Sequence, residues 1–259
     1  MLRILTFNIL APCWASPRWY PEGLDAALLS RLYRRESTIK FLEMGTAEAD
    51  VVCLQEVTDD EFKAIKSAFP HFEGYMTHND PQYWSQWSDP EIPWEPNGCA
   101  VFVRKGVFYS LRFEDRALSD SGNHAVRFVG LHIESGKDVV VWSVHLDSDS
   151  ELRSLLEQTN RQVEIIAGDI NADIRNGHLE DHLFQDALKK VGNFEPTHPF
   201  TSTHPAITDH VLTRGVTPVS GDVYDFHLWA IKDEVARLEH NLAICGSDHF
   251  PVTVSVRVV

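Results

Sequence analysis

The chain has 259 residues, 43% hydrophobic and 24% charged, a balance that supports a buried core and excludes a disordered or low-complexity protein. Its 38 aspartates and glutamates outnumber 23 lysines and arginines, and the resulting net charge of −15 argues against a wide basic track gripping long nucleic acid. A short strand end, a mononucleotide or a small phosphorylated metabolite demands fewer cationic contacts. Cys13, Cys53, Cys99 and Cys245 stand far apart with no C-x-x-C pair, so zinc-ribbon and redox-motif readings have no support. Cys53 and Cys99 lie in apolar runs and read as buried free thiols. No run reaches the roughly 20 apolar residues that span a bilayer, and Leu2 opens a strand with no signal-peptide layout before it. A reducing, cytoplasmic compartment and no membrane contact are the expectation.

In chain order, the first predicted element is the strand Leu2–Asn8, followed by a helix over Ser30–Met44 with apolar spacing at Leu32, Ile39 and Leu42. A strand over Asp50–Gln55 and a helix over Asp59–Ala68 come next. From Phe72 to Pro96 there is little periodicity, yet Tyr75, Tyr83, Trp84, Trp87 and Trp94 stand there among prolines and acids. Such a stretch serves either as a surface loop pinned by its own aromatics or as a lid or stacking platform for a base. The strand Cys99–Arg104 precedes a hairpin, Val126–Ile133 and Asp138–His145, turning at Ser135–Gly136. A helix over Glu151–Gln158, a strand over Val163–Gly168, a helix over Asp181–Val191 and strands over Ile207–Thr213 and Pro251–Val258 complete the pattern. Strands outnumber helices, no repeat is present, and residues 1–259 read as a single domain.

Several of these strands end in polar residues. Gly168-Asp169-Ile170-Asn171 closes an apolar run, and strand alternation puts Asp169 and Asn171 on one side. An Asx turn explains such a pair as well as a site does. Gly246-Ser247-Asp248-His249 precedes the last strand; a carboxylate beside an imidazole binds metal, orients the ring or supports proton transfer, though it also suits a turn. Glu56, just past a buried strand, suits a hard cation. Asn8 and His145 end two further strands, and Asp209 sits inside an apolar stretch where a buried acid needs a partner. The other histidines, among 13, carry no such context.

The ordered set Asn8, Glu56, His145, Asp169-x-Asn171, Asp209 and Ser247-Asp248-His249 resembles the endonuclease/exonuclease/phosphatase superfamily over residues 3 to 256. Phe7-Asn8-Ile9-Leu10, Tyr33-Arg34-Arg35, the run from Ala49 to Glu56, the run from Asn97 to Phe102 and Pro199-Phe200-Thr201-Ser202 are similar to the branch of carbon-catabolite-repression deadenylases, nocturnin and 2′-phosphodiesterases. The segment between His145 and Asp169 is shorter than that branch usually has, and Leu10 stands where apurinic endonucleases carry an acid, which disfavours abasic-site cleavage. The resemblance implies a four-layer α/β sandwich, two mainly antiparallel sheets face to face with helices outside. It implies Mg²⁺ or Mn²⁺ held by Asn8, Glu56 and Asp248, and catalysis by His145, Asp169, Asn171, Asp209 and His249, with Asp209 holding His249. Asn97 and Arg153 are candidate substrate contacts. The implied activity is hydrolysis of a phosphodiester at an RNA or short nucleic-acid end, with a small phosphorylated metabolite or nucleotide as the alternative substrate.

Overall fold

The structure, a computed structural model, describes residues 1–87, 92–118, 122–159, 161–172, 174, 179–198 and 207–258. In chain order the elements are β1 (Leu2–Asn8), α1 (Arg31–Gly45), β2 (Val51–Thr58), α2 (Asp59–Ala68), β3 (Phe72–Met76), α3 (Pro81–Trp84), β4 (Asn97–Arg104) and β5 (Phe108–Ala117). There follow β6 (His124–His132), β7 (Lys137–His145), α4 (Asp149–Gln158), β8 (Glu164–Asp169), β9 (Gln185–Asp186), α5 (Ala187–Val191), β10 (Asp209–Arg214), β11 (Val216–Val223), α6 (Glu234–Cys245) and β12 (Val252–Val258). The helices start on side-chain caps: Ser30, Thr58, Ser148 and Asp233 each accept a first-turn amide of α1, α2, α4 and α6.

Two six-stranded sheets run in the orders β11-β12-β1-β2-β4-β3 and β5-β6-β7-β8-β10-β9. Each is antiparallel except for one central parallel pair, β1 with β2 and β7 with β8. The inner faces meet in a core that includes Ile4, Val51, Val101, Val141, Ile165 and Val254. On the outer face of the first sheet, Phe41 and Leu42 of α1 pack with Leu5 and Phe7. On the outer face of the second, Leu155 of α4 packs with Trp142 and Ile166. The result is the expected four-layer sandwich, in which both parallel pairs end at one rim with Asn8 opposite Gln55 and His145 opposite Asp169.

All eight strands read from the sequence are present, and the hairpin turns where expected. The helix expected over Asp181–Val191 is broken: a 3-10 turn over Leu179–His182 and the short strand β9 precede a one-turn α5. Asp186 is the reason, since its carboxylate caps Lys189 N and also holds the His210 ring, which fixes it as a cap rather than a mid-helix residue. Strands β3, β5, β9 and β11 and helices α3 and α6 are additional. The aromatic stretch begins as edge strand β3, where Tyr75 stacks on Phe113 with centroids 5.6 Å apart. Its residues 88–91, like Pro199-Phe200-Thr201-Ser202, lie outside the described residues.

Gly168 permits the parallel seam. A Cβ there would stand 1.9 Å from the carbonyl oxygen of Val144 on β7, so no other residue fits without parting β7 from β8. Gly168→Ala is therefore expected to lower unfolding free energy by more than about 3 kcal/mol. Urea denaturation checks this, and an unchanged midpoint would refute the steric account.

Candidate active site

The rim begins with a backbone irregularity. Between Leu54 and Val57 the β2–β4 register slips, leaving an extra residue in β2. Leu54 and Val57, three apart, consequently pack in the same outer cluster, and Glu56 takes a left-handed backbone with φ 58°. A left-handed non-glycine residue costs about 1–2 kcal/mol. Leu10 (φ 59°) and Asn171 (φ 54°) share this conformation at the same rim, so the strain gathers around the polar strand ends.

The Glu56 carboxylate is buried and accepts from Asn8 Nδ2 at 2.9 Å and from Ala11 N at 2.7 Å. Burial pushes its pKa up, against the lowering effects of His145, Asn8 and the Ala11 amide, and the Asp248 charge pushes the same way as burial. Asn8 spends its oxygen on Leu10 N at 3.0 Å, while its amide nitrogen bridges Glu56 Oε1 and Asp169 Oδ2 at 2.9 and 3.0 Å. As placed, Asn8 is a donor between two carboxylates.

Asp169 is 1% exposed. Its Oδ1 accepts from Asn171 N at 2.9 Å, the Asx turn that the sequence allowed. Its Oδ2 receives Asn8 and lies 3.6 Å from both His145 Nε2 and His249 Nε2. Asn171 donates its amide to Leu146 O at 2.9 Å and lies 3.1 Å from His145 Nε2. Behind this group, Asp209 Oδ2 stands 2.9 Å from His249 Nδ1. Burial alone would depress the His249 pKa, yet Asp209 and Asp169 outweigh it and hold the ring protonated well above the usual imidazole value. Asp209 correspondingly falls below the usual carboxylate range, burial being overcome by His249 and Thr197.

The Ser247–His249 loop is tied down from three sides. Ser247 Oγ donates to Asn8 O at 2.6 Å and accepts from His249 N at 3.2 Å. Asn241 of α6, fully buried, donates to Ser247 O and His249 O. Arg34 of α1, also buried, donates to the carbonyls of Ile9, Leu10, Leu29 and Gly246, joining this loop to the one after β1. Desolvation lowers the Arg34 pKa, with Tyr20, Asp248 and Glu56 opposing.

Beside these groups opens a cavity of about 300 Å³ lined by Leu10, Trp14, Trp19, Tyr20, Glu56, His198, Asp248 and His249. Tyr20 OH donates to Asp248 Oδ2 at 3.0 Å. Asp248 stays ionised to very low pH, because His198, His249 and Tyr20 outweigh its burial. The structure thus brings together Asn8, Glu56, His145, Asp169, Asn171, Asp209, Asp248 and His249. Asn97 lies elsewhere in use, donating to Glu95 O at 2.9 Å and facing Cys13 Sγ, and Arg153 is exposed on α4. His198, Trp14, Trp19 and Tyr20 were not singled out in the sequence. The aromatic lining comes from the loop after β1, and the 72–96 stretch contributes Trp84 as an edge-on brace 6.0 Å from Trp14.

The sequence profile of the endonuclease/exonuclease/phosphatase family matches residues 5–249. The chain belongs to this family. Its members are phosphoesterases. Comparison with curated proteins gives no sequence match. Among solved structures, the chain is similar to an endonuclease/exonuclease/phosphatase from Bacteroides vulgatus, with TM-score 0.71 and 16% identity over 100% of this chain and 99% of that one. It is similar to the human nocturnin catalytic domain with bound sulfate, with TM-score 0.68 and 17% identity over 100% and 93% of the two chains. It is also similar to ANGEL2, a 2′,3′-cyclic phosphatase, in complex with adenosine-2′,3′-vanadate, with TM-score 0.72 and 14% identity over 99% and 95%. These likenesses establish a shared fold.

One further pair supports the rim of this family member from below. His210, next to Asp209 and fully buried, places Nδ1 2.5 Å from Asp186 Oδ2 and Nε2 2.9 Å from the carbonyl of Ala172. Both neighbours only accept, so both ring nitrogens carry protons. Burial lowers the His210 pKa, but Asp186 and Ala172 raise it further, and the net direction is upward. A folded-state pKa above the unfolded value gives stability that is complete below about pH 6.5 and is lost as pH rises through the folded value. Asp186→Asn keeps the helix cap and removes the charge. The stability gap between wild type and this variant is expected to be widest at about pH 6 and to narrow steadily above it. Denaturant titrations across that range check this, and a gap that widens with pH would contradict the charge assignment.

Proposed function

We propose that this chain is a divalent-metal-dependent phosphodiesterase acting on the ends of RNA or other short nucleic acids. The observation that carries the reading is the single Asp169 carboxylate oxygen shared by Asn8, His145 and His249, with Asp209 behind His249 and a cavity alongside. Glu56 and Asp248 would hold Mg²⁺ or Mn²⁺. The donor set fits a hard cation: both are carboxylates facing one cavity, and Asp248 Oδ1 has no hydrogen-bond partner among the described residues. Such an ion would neutralise charge building on the phosphate and leaving oxygen. Asn8 would hold the Glu56 carboxylate in place through its amide nitrogen, and its oxygen, which accepts from Leu10 N, keeps a second lone pair that could face the ion.

Asp169 would align and deprotonate the attacking water, its orientation set by the Asn171 amide and Asn8. The protonated His249 ring, kept so by Asp209, would stabilise negative charge on the phosphate. Asn171 and His145 would grip the non-bridging oxygens, each trading its contact with the other for one with the phosphate. The aromatic wall of Trp14, Trp19 and Tyr20 suits stacking of one base. The cavity, about 300 Å³, matches a nucleotide-sized group. The net charge of −15 favours a short end over long polymer, and it equally supports the second reading, a soluble nucleotide or phosphorylated metabolite.

Metal-dependent hydrolysis of bis-p-nitrophenyl phosphate tests the reaction class, and labelled oligo(A), oligo(dA) and a panel of phosphorylated metabolites separate the two substrates. Asp169→Asn, Glu56→Gln and His249→Ala are each expected to cut turnover by about a hundred-fold or more with unchanged circular dichroism. Near-wild-type turnover by purified Asp169→Asn would end this proposal. Trimming of oligo(A) at least tenfold faster than any metabolite is the expected order, and the reverse order would move the assignment to small molecules.

A further inference from the structure

His198 stands in the cavity without a role in the chemistry described above. Its position is imposed by its neighbour Thr197, whose Oγ1 accepts from Thr208 N at 3.0 Å and Asp209 N at 2.9 Å, and whose carbonyl accepts from Phe250 N at 2.7 Å. The residue before His198 is thereby fastened to the starts of both β10 and the last strand. The His198 ring meets His249 edge-on with centroids 4.5 Å apart, and its Nε2 lies 3.7 Å from Asp248 Oδ2.

Ligand atoms of His198, Asp248 and His249 all lie within 4.8 Å of one another. Of the two imidazoles, His249 has both ring nitrogens already faced by carboxylates, Asp209 at 2.9 Å and Asp169 at 3.6 Å. His198 Nε2 faces Asp248 Oδ2, and Glu56 lines the same cavity. A gap of 3.7 Å exceeds a hydrogen bond. It approaches the separation of about 3.0–3.6 Å between two ligands that share one ion at about 2.1 Å each.

We propose that His198 is a nitrogen ligand to the cation that Glu56 and Asp248 would hold, making a mixed nitrogen–oxygen site that selects Mn²⁺ over Mg²⁺. The inference rests on the reading of this cavity as a cation site. Imidazole raises affinity for first-row transition metals, whereas Mg²⁺ prefers oxygen and retains its waters. The bland account is that His198 is only an ion-pair partner of Asp248, and the two accounts differ in whether nitrogen touches the metal.

Electron paramagnetic resonance of Mn²⁺ added to the substrate-free protein separates them. Loss of the free-ion signal counts bound Mn²⁺, and spin-echo modulation from ¹⁴N reports an imidazole bound directly to it. Wild type is expected to bind Mn²⁺ with ¹⁴N modulation, and Glu56→Gln to lose the ion. His198→Phe should lose the modulation and bind Mn²⁺ at least about 10-fold more weakly, with Mg²⁺ affinity by competition changed less than about 2-fold. His249→Asn should keep the modulation. His198→Asn, which keeps a polar side chain, serves if the phenylalanine variant does not fold. Bound Mn²⁺ without ¹⁴N modulation, or modulation that survives loss of His198, overturns the inference and leaves the cation site standing. No Mn²⁺ bound by wild type overturns both.

Discussion

Asp169 Oδ2 is the point on which the rim depends. One oxygen, nearly sealed from water, faces an amide donor from β1, an imidazole from β7 and another from the loop before β12. A buried carboxylate is costly unless its oxygens are met by polar partners, and these three groups are the ones that meet this oxygen. Removing the carboxylate would leave the Asn8 amide and the His249 ring facing one another with no acceptor between them. The members of the polar cluster are consequently coupled, each contact strengthening its neighbours.

The scaffold meets this demand by distributing it across both sheets. Each contributes the carboxyl ends of one parallel pair, and the pairs are the innermost strands, where burial on both faces leaves the least freedom. The local cost falls on the turns. Leu10 and Asn171 take left-handed backbone just past the ends of β1 and β8, and Glu56 does so at the bulge inside β2, so the departures from regular strand geometry gather at the rim. Arg34 and Asn241 then secure the turns through carbonyl oxygens, so the loops carrying Leu10 and Asp248 are hydrogen-bonded like core elements.

How much of this could be read from the sequence follows the same division. The central strands were legible because burial on both faces writes continuous apolar runs, as in Val51–Cys53 and Ile165–Ala167. The four unread strands, β3, β5, β9 and β11, are the four sheet edges. An edge strand has one hydrogen-bonded neighbour and tolerates charge, proline and glycine: β5 carries Arg112, Glu114, Asp115 and Arg116, and β11 carries Pro218 and Gly221. Helix α6 was masked by Asn241, a polar residue inside its buried stripe of Leu238, Leu242 and Cys245. The strand-end acids and histidines were legible as a format, a polar residue closing an apolar run. His198 follows no such run and is placed by Thr197 through contacts with Thr208, Asp209 and Phe250, far along the chain. Trp14, Trp19 and Tyr20 sit in a loop whose course is set by Arg34 and the 3-10 turn over Pro17–Trp19, neither of which has a periodic signature.

The acidic balance of the chain and a phosphate-directed rim are compatible because they act at different ranges. Exposed charges farther apart than about 8–10 Å are screened at physiological salt, so the net charge governs approach of a long polyanion more than contact with one phosphate. At the rim itself, burial reduces screening, and the His249 ring supplies positive charge to a cavity lined by the acids Glu56 and Asp248. A lone phosphate entering there meets carboxylates at close range unless a cation lies between them. On the proposed reading, the same acids that would repel a bare phosphate would create the demand for a cation, and the histidines beside them would set how much of the phosphate charge it had to carry.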